Sequence, residues 1–463
     1  MEHARQNCTI QTDALLFAGS GVVIRQGYFL TPVDGMEQMS ETTESAGDAG
    51  TVGAAGTVGS ADTTSFYERP GVQLETIGVG PGVPIGIEQV TNAALGIGGA
   101  YGTWGECCSN AALAATVEQI LGHGLGENGA LNVGELGFNY RHHVPHLSDQ
   151  EHIEVEVEAG ARFLAEASHA AGWDPAEVDA VLIGATTPAV PDYVERIAAR
   201  AGIPERSIKV SVHKACDGSV AALNLALNPE LSRLAQTLRG KKVLVGGIEG
   251  LSRVMHQTLD AQALQLFGNG AGVFGLIPGQ NMAFLAGGAQ EVYDEEGLLQ
   301  VRMTYPHSRH GLLEVQETGE HSLRIAGLQH EPAAGAGPVV MAGPMGMVKL
   351  FVRSGVSAVR TVYGAYRERM GRLGTPGKDI CVTIVHHANY KINLLKAKQL
   401  QREGISVPMP WLLSDFGNVS AASAMIAFLR KLRDLRPGDH IMFDGFGAGT
   451  YYDVVAVELG SAS

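Results

Sequence analysis

A cysteine, a histidine and an asparagine stand out because each lies where a predicted element begins or ends, a place from which a side chain can reach a reacting group. Cys216, in "SVHKACDGSVAALNLAL" (211–227), follows a predicted strand and opens a predicted helix. Unpaired backbone N–H groups and the helix dipole favour a thiolate there. The alanines and leucines around it suit a packed thiol as well, since cysteine is among the most buried residue types. His386, in "VHHANYKINLL" (385–395), ends a buried strand, and Asn418, in "DFGNVSAASAMIAFL" (415–429), follows a glycine. Taken singly, the histidine fits a hydrogen-bonded turn and the asparagine a cap.

The elements that position these residues repeat. "VDAVLIGATTP" is followed, thirty residues after Thr186, by Cys216 and its helix, and then by the strand "KVLVGG". "ICVTIVHHANY" is followed, thirty-two residues after His386, by Asn418, the helix "NVSAASAMIAFL" and the strand "HIMFDGFG". Helices alternating with short Val- and Ile-rich strands predict a largely parallel sheet covered on both faces. Two such halves facing one another bring Cys216, His386 and Asn418 together across 170 and 32 residues of sequence.

Composition bounds the function. The chain has 463 residues, 45% hydrophobic and 17% charged, with 61 glycines, which suits a packed α/β enzyme of two halves. A net charge of -15 argues against nucleic acid or an anionic membrane as partner. No apolar run reaches the length of a membrane span and the first residues lack a secretory pattern, so a cytoplasmic protein is expected. Five cysteines (8, 107, 108, 216 and 381) have neither metal nor disulfide spacing and are expected to be free thiols. "RHHVPH" (141–146) reads as a turn and not a metal site, because Pro145 breaks any helix that would align His142 with His146. "GVGPGVPIG" (78–86) lacks the spacing of a phosphate loop.

Together with "LFGNGAGVFGL" (266–276) and "DGFGAGTYYDVVAVEL" (444–459), the motifs resemble those of the thiolase-like condensing enzymes, and within them the β-ketoacyl-acyl-carrier-protein synthase III branch. The cysteine, His-x-Ala-Asn and Gly-Asn-x-Ser-Ala-Ala-Ser motifs of that branch match Cys216, His386 to Asn389, and Gly417 to Ser423. The similarity covers roughly residues 13–26 and 130–463. It implies an α/β, thiolase-like fold in which two duplicated βα halves form a five-layered αβαβα architecture. Residues 1–334 are expected to form the half carrying the nucleophile, with an inserted segment at about 28–130 that includes a low-complexity loop at 38–65; residues 335–463 form the half carrying His386 and Asn418.

The resemblance also implies a homodimer without a bound cofactor or metal, acting on acyl-coenzyme A or acyl-carrier-protein thioesters, with acyl carrier protein as a partner. Cys216 takes the acyl group; His386 and Asn418 donate hydrogen bonds to a malonyl-type thioester as it loses carbon dioxide. The backbone N–H groups of Cys216 and Ala448 form the oxyanion hole. An acyltransferase of the same fold that does not decarboxylate, and a non-catalytic partner subunit, are the alternatives.

Four departures from the branch stand out. A stretch of over a hundred residues separates the expected first strand, "ALLFAGSGVVI" (14–24), from "ELGFNYRHHV" (135–144). Glu135 takes the place of a basic residue that helps hold the coenzyme A nucleotide. His213, Lys214 and Asp217 surround Cys216 where small or apolar residues are usual; strand alternation points Lys214 away from the thiol. His387 replaces a glutamine.

Overall fold

The computed structural model describes residues 64–126, 129–144, 147–186, 188–291, 302–303, 314–326, 339–340, 348–447 and 451–460. The expected strand at 14–24 and the loop at 38–65, up to residue 63, lie outside them.

The first sheet gathers β1 (Gln73–Ile77), β2 (Val83–Asn92), β3 (Ile97–Trp104), β6 (Ala180–Gly184), β7 (Ile208–His213), β8 (Val243–Glu249) and β9 (Gly270–Leu276). A hairpin of β12 (Glu314–Gly319) and β13 (Ser322–Ala326) adds to its edge, giving the order β1-β2-β3-β9-β8-β6-β7-β13-β12. The second sheet is β10 (Met282–Glu291), β17 (Tyr451–Leu459), β16 (His440–Gly447) and β15 (Ile380–Val385), in that order. β4 (Glu106–Ser109) pairs with β5 (Tyr140–His143), and β11 (Arg302–Met303) with β14 (Val339–Val340).

Duplication is visible in the strand order. β3-β9-β8-β6 and β10-β17-β16-β15 have the same sequence order and the same mix of senses, with β6 parallel to β8 and β15 parallel to β16, while β9 and β17 run against their neighbours. Helices α2 (Asp149–Ala170) and α3 (Tyr193–Arg200) cover the outer face of the first sheet. α4 (Gly218–Leu227) lies between the sheets, and the outer face of the second is covered by α8 (Gly355–Arg372), which packs on β10 and β17. α9 (Tyr390–Arg402) packs beside α8, and α10 (Ser423–Lys431) joins α4 in the middle layer. These are five layers, αβαβα. All ten residues of α4 are buried, as a helix enclosed by two sheets requires. The remaining helices, α1 (Asn110–Leu121), α5 (Leu234–Thr237), α6 (Leu251–Thr258) and α7 (Ala261–Leu266), are peripheral to this sandwich. No helix among the described residues is long and apolar enough to cross a membrane.

Two expectations about organisation are corrected. The segment at 28–130 is not wholly an insertion: its described part supplies β1 to β4 and α1, and β3 pairs with β2 on one side and β9 on the other. β3 stands in the first half where β10 stands in the second. Its sequence, "IGGAYGTW", hides this because glycine replaces the branched residues that usually mark a strand. The glycines are there for space: a Cβ at Gly98 would overlap the Ala170 carbonyl of α2, and one at Gly102 the Gly86 carbonyl of β2.

The division at 334/335 also shifts. β10 pairs with β17 from Met282 to Glu291 and so belongs to the second sheet, whereas β13, further along the chain, pairs with β7 of the first. The two halves therefore part between β9 and β10, with β12 and β13 returning to the first sheet. The expected turn at 141–146 is corrected too: Tyr140–His143 is a strand that buries both His142 and His143. Among the described residues no group of His, Cys, Asp and Glu is arranged to hold a metal ion.

Candidate active site

Cys216 occupies a short 3-10 turn, Ala215–Asp217, between β7 and α4. Ala215 has φ of 49°, and Ser420, which opens the corresponding turn of the second half, has φ of 44°. Left-handed backbone at a non-glycine residue is strained, and here the duplicated halves repeat the strain at the same place. The turn aims Cys216 at its counterpart. The Ser420 hydroxyl donates to Cys216 Sγ at 3.1 Å, and Cys216 is only 9% exposed.

Asn418 is two residues from that hydroxyl. Its Oδ1 accepts the Ser420 N–H at 2.9 Å, which identifies Nδ2 as the outward donor. One Nδ2 hydrogen goes to the Ala388 carbonyl at 3.3 Å, and the amide carries a second. His386, at the end of β15, donates its backbone N–H to Asp444 and accepts that of Ala388. Its ring meets Phe446 edge-on at 5.0 Å, one residue before Gly447. A Cβ on Gly447 would stand 2.9 Å from Cys216 N, so β16 lies directly on the nucleophile's backbone. Cys216, His386 and Asn418 are thereby joined through short contacts in one buried place. Ala448 lies outside the described residues.

The protonation of His386 follows from its partner. Ser423 Oγ lies 2.5 Å from Nδ1 and accepts the His387 N–H at 3.3 Å. With the Ser423 hydroxyl as donor to Nδ1, the proton of the neutral ring stands on Nε2. Burial, with smaller contributions from His387 and Lys396, lowers the His386 pKa to about 3, so the ring is neutral at physiological pH.

His387, for which the sequence offered no account, is structural. Its Nδ1–H donates to the Val385 carbonyl at 2.7 Å, its Nε2 accepts the Leu412 N–H at 3.0 Å, and its ring packs 4.6 Å from Trp411. It ties β15 to the segment before Asn418. Asn389 is the N-cap of α9, accepting the Ile392 N–H at 2.9 Å.

Glu249, Thr186 and Ser423 are site residues that the sequence reading missed. Glu249 ends β8 and is buried; its Oε1 accepts from Thr186 N, Thr186 Oγ1 and Ala421 N at 2.8, 2.6 and 3.0 Å. Thr186 Oγ1 is 2.5 Å from Ser420 Oγ, so a chain of hydroxyls joins the Cys216 sulfur to this carboxyl. Burial raises the Glu249 pKa to about 8. An acidic residue inside the otherwise apolar "VLVGGIEGL" was the available signal, since a buried carboxyl needs partners.

Around Cys216, Lys214 Nζ pairs with Asp453 and stands 3.5 Å from Asp217, so it is directed to β17; it lies past the end of β7, where strand alternation no longer sets its direction. His213 Nε2 is 2.6 Å from Ser211 Oγ. Glu135 is exposed and pairs with Lys391 Nζ at 2.6 Å. Its pKa is lowered by that lysine, which offsets the carboxylate's repulsion of a phosphate group.

Residues 370–459 match the family of 3-oxoacyl-(acyl-carrier-protein) synthase III C-terminal domains. The chain is 26% identical over 289 residues to a β-ketoacyl-(acyl-carrier-protein) synthase III of Prochlorococcus marinus (strain MIT 9313), covering 60% of this chain and 74% of that protein. It is 26% identical over 311 residues to the same-named protein of Gloeobacter violaceus, covering 66% and 84%. Among solved structures it superposes on 3-oxoacyl-(acyl-carrier-protein) synthase III from Aquifex aeolicus VF5 with a TM-score of 0.52 at 18% identity, over 83% of this chain and 100% of that one. On 1,3,6,8-tetrahydroxynaphthalene synthase from Streptomyces coelicolor, a bacterial type III polyketide synthase, the TM-score is 0.51 at 14% identity, over 77% and 97%. These structures show a common thiolase-like fold.

Proposed function

We propose that this chain, a thiolase-like condensing enzyme of the β-ketoacyl synthase III type, takes an acyl group onto Cys216 and extends it by decarboxylative condensation directed by His386 and Asn418. The observation that carries the reading is the contact of Ser423 Oγ with His386 Nδ1, which, with the hydroxyl as donor, turns a protonated Nε2 to the site. A donor is what the second half-reaction needs.

In the first half-reaction the Cys216 sulfur attacks a thioester carbonyl, the thiol leaving group departs, and the acyl group stays as a new thioester. The start of α4 and the Ser420 hydroxyl both favour negative charge on the sulfur. The oxyanion of the tetrahedral intermediate takes a hydrogen bond from the Cys216 N–H and, by resemblance, from that of Ala448.

In the second, a malonyl-type thioester lies with its carbonyl oxygen on His386 Nε2–H and the second Asn418 Nδ2–H. As carbon dioxide leaves, charge collects on that oxygen, and two neutral donors in a buried site stabilise the enolate. The enolate carbon attacks the acyl-Cys216 carbonyl and releases the cysteine. A neutral histidine suits this role, since it gives a hydrogen bond without giving up its proton.

Coenzyme A or acyl carrier protein as the thioester carrier, a homodimeric assembly and a cytoplasmic setting complete the reading. Incubation with acyl-coenzyme A and acyl-carrier-protein donors side by side, read by intact mass, tests carrier and nucleophile together: an adduct that is lost in Cys216→Ser supports the reading, and no adduct from any donor contradicts it.

A further inference from the structure

Lys214 and Asp217, on either side of Cys216 in sequence, meet at Asp453 of β17. Lys214 Nζ pairs with Asp453, Asp217 Oδ1 accepts the Asp453 N–H at 3.3 Å, and Asn224 of α4 donates to Asp453 Oδ1 at 2.8 Å. Lys214 also lies 5.6 Å from the centre of the Tyr451 ring. Lys214, Asp217 and Asp453 are all buried.

The strand opposite is shaped to receive them. Asp453 pairs with Gly445 and Tyr451 with Gly447 across β16 and β17. A Cβ on Gly445 would overlap the Asp217 carboxylate, and one on Gly447 would press on the nitrogens of Cys216 and Asp217 and the carbonyl of Lys214 at 2.9 Å. The elbow is thus laid on one arm of the β16–β17 hairpin and strapped by charge to the other. Such a strap is not needed for stability, since a buried ion pair replaced by apolar groups of similar volume is often neutral or better. It fixes direction and spacing instead.

We propose that Lys214, Asp217 and Asp453 are positioning residues that hold the Cys216 backbone N–H at the spacing from Gly447 needed to receive the acyl oxyanion. The proposal rests on the functional reading above and adds the residues that set its oxyanion geometry. None of the three touches substrate; they act through the backbone of the elbow. Burial, and then the neighbouring Asp453, raise the Asp217 pKa, against the opposing pull of Lys214. Among the described residues, Lys396 and Tyr452 also feel the Asp217 carboxyl. A neutral asparagine is therefore a fair substitute at 217.

Two reactions of the same sulfur separate this role from a structural one. Alkylation by iodoacetamide forms no oxyanion, whereas acylation by a thioester does. In the double variant K214M/D453N, which removes both charges together, acylation is expected to slow by about tenfold to a hundredfold while alkylation stays within about twofold. Asp217→Ala should behave alike and Asp217→Asn should keep both rates, which provides a second route should the double variant not fold. Unchanged acylation in K214M/D453N and in Asp217→Ala, or an equal fall in both reactions, overturns the proposal. A wild-type protein that is alkylated at Cys216 but acylated by no thioester overturns the functional reading, and the proposal with it.

Discussion

Ser423 Oγ sits 2.5 Å from His386 Nδ1 and 3.3 Å from the His387 amide nitrogen, so one hydroxyl at the start of α10 holds the His386 ring and, as donor to Nδ1, keeps the ring proton on Nε2. This contact crosses from the Asn418 segment to the end of β15 and joins the two parts of the second half that the chemistry needs.

Ser423→Ala removes that control while leaving Cys216 untouched. The condensation rate should fall by roughly tenfold to a hundredfold, and acyl loading of Cys216 should stay near wild type. Single-turnover loading and overall turnover, measured on the same preparation, check this. Parallel loss of both would mean that Ser423 serves only folding.

His387 predicts the opposite pattern. Its removal leaves the Val385 carbonyl and the Leu412 N–H without their ring partners in a buried place, which costs about 1–3 kcal/mol per unsatisfied group. His387→Ala should therefore lower the denaturation midpoint clearly while the residual folded protein still loads Cys216. His387→Gln, which restores one donor and one acceptor, should recover part of the loss.

Ser420 connects the nucleophile to Glu249. Losing its hydroxyl removes the hydrogen bond to the Cys216 sulfur, and Ser420→Ala should slow iodoacetamide alkylation at neutral pH by about threefold to tenfold, equivalent to ~1 kcal/mol. Mass spectrometry of the labelled peptide over time measures it. An unchanged rate would separate the hydroxyl chain from the reactivity of the thiol.

The buried histidines predict how stability depends on pH. In the unfolded chain a histidine takes a proton near pH 6.5. In the fold, burial chiefly lowers the pKa of His386, His142 and His143 to about 3 and that of His387 to about 4. Between those limits the unfolded state binds more protons at these rings, so their contribution to stability is full above about pH 6.5 and falls as the pH drops toward 4, while Glu249, raised to about 8 in the fold, acts in the opposite sense. Four rings outweigh one carboxyl below pH 6, so the urea midpoint at pH 5 should lie below that at pH 6, and a midpoint that rises over that interval would contradict the burial of these rings as neutral groups.

The parts of this site legible in sequence were those held by local pattern. Cys216, His386 and Asn418 each sit in a motif at an element's end, and the repeated spacing of the halves predicts their meeting. What was not legible depends on packing between distant segments. β3 is concealed because close approach of α2 and β2 demands glycine where a strand usually shows valine or isoleucine. Ser423 and Glu249 gain their roles only when β15 meets α10 and β8 meets the turn at Ser420, and His387 could be assigned only once Leu412 stood opposite it. The division of the halves was misplaced because β10 pairs with β17, some 170 residues away, a register that local pattern does not encode.

The central claim is that one buried place loads an acyl group and then condenses it with loss of carbon dioxide. Its most direct test supplies the protein with an acyl thioester and carboxyl-labelled malonyl thioester and follows the Cys216 adduct by intact mass together with released carbon dioxide. The account predicts an adduct on Cys216, carbon dioxide released in step with the extended product, and, in His386→Ala or Asn418→Ala, an adduct that persists while release falls by about a hundredfold or more. Acyl transfer that proceeds with no carbon dioxide released, or release that does not depend on His386 and Asn418, would contradict it.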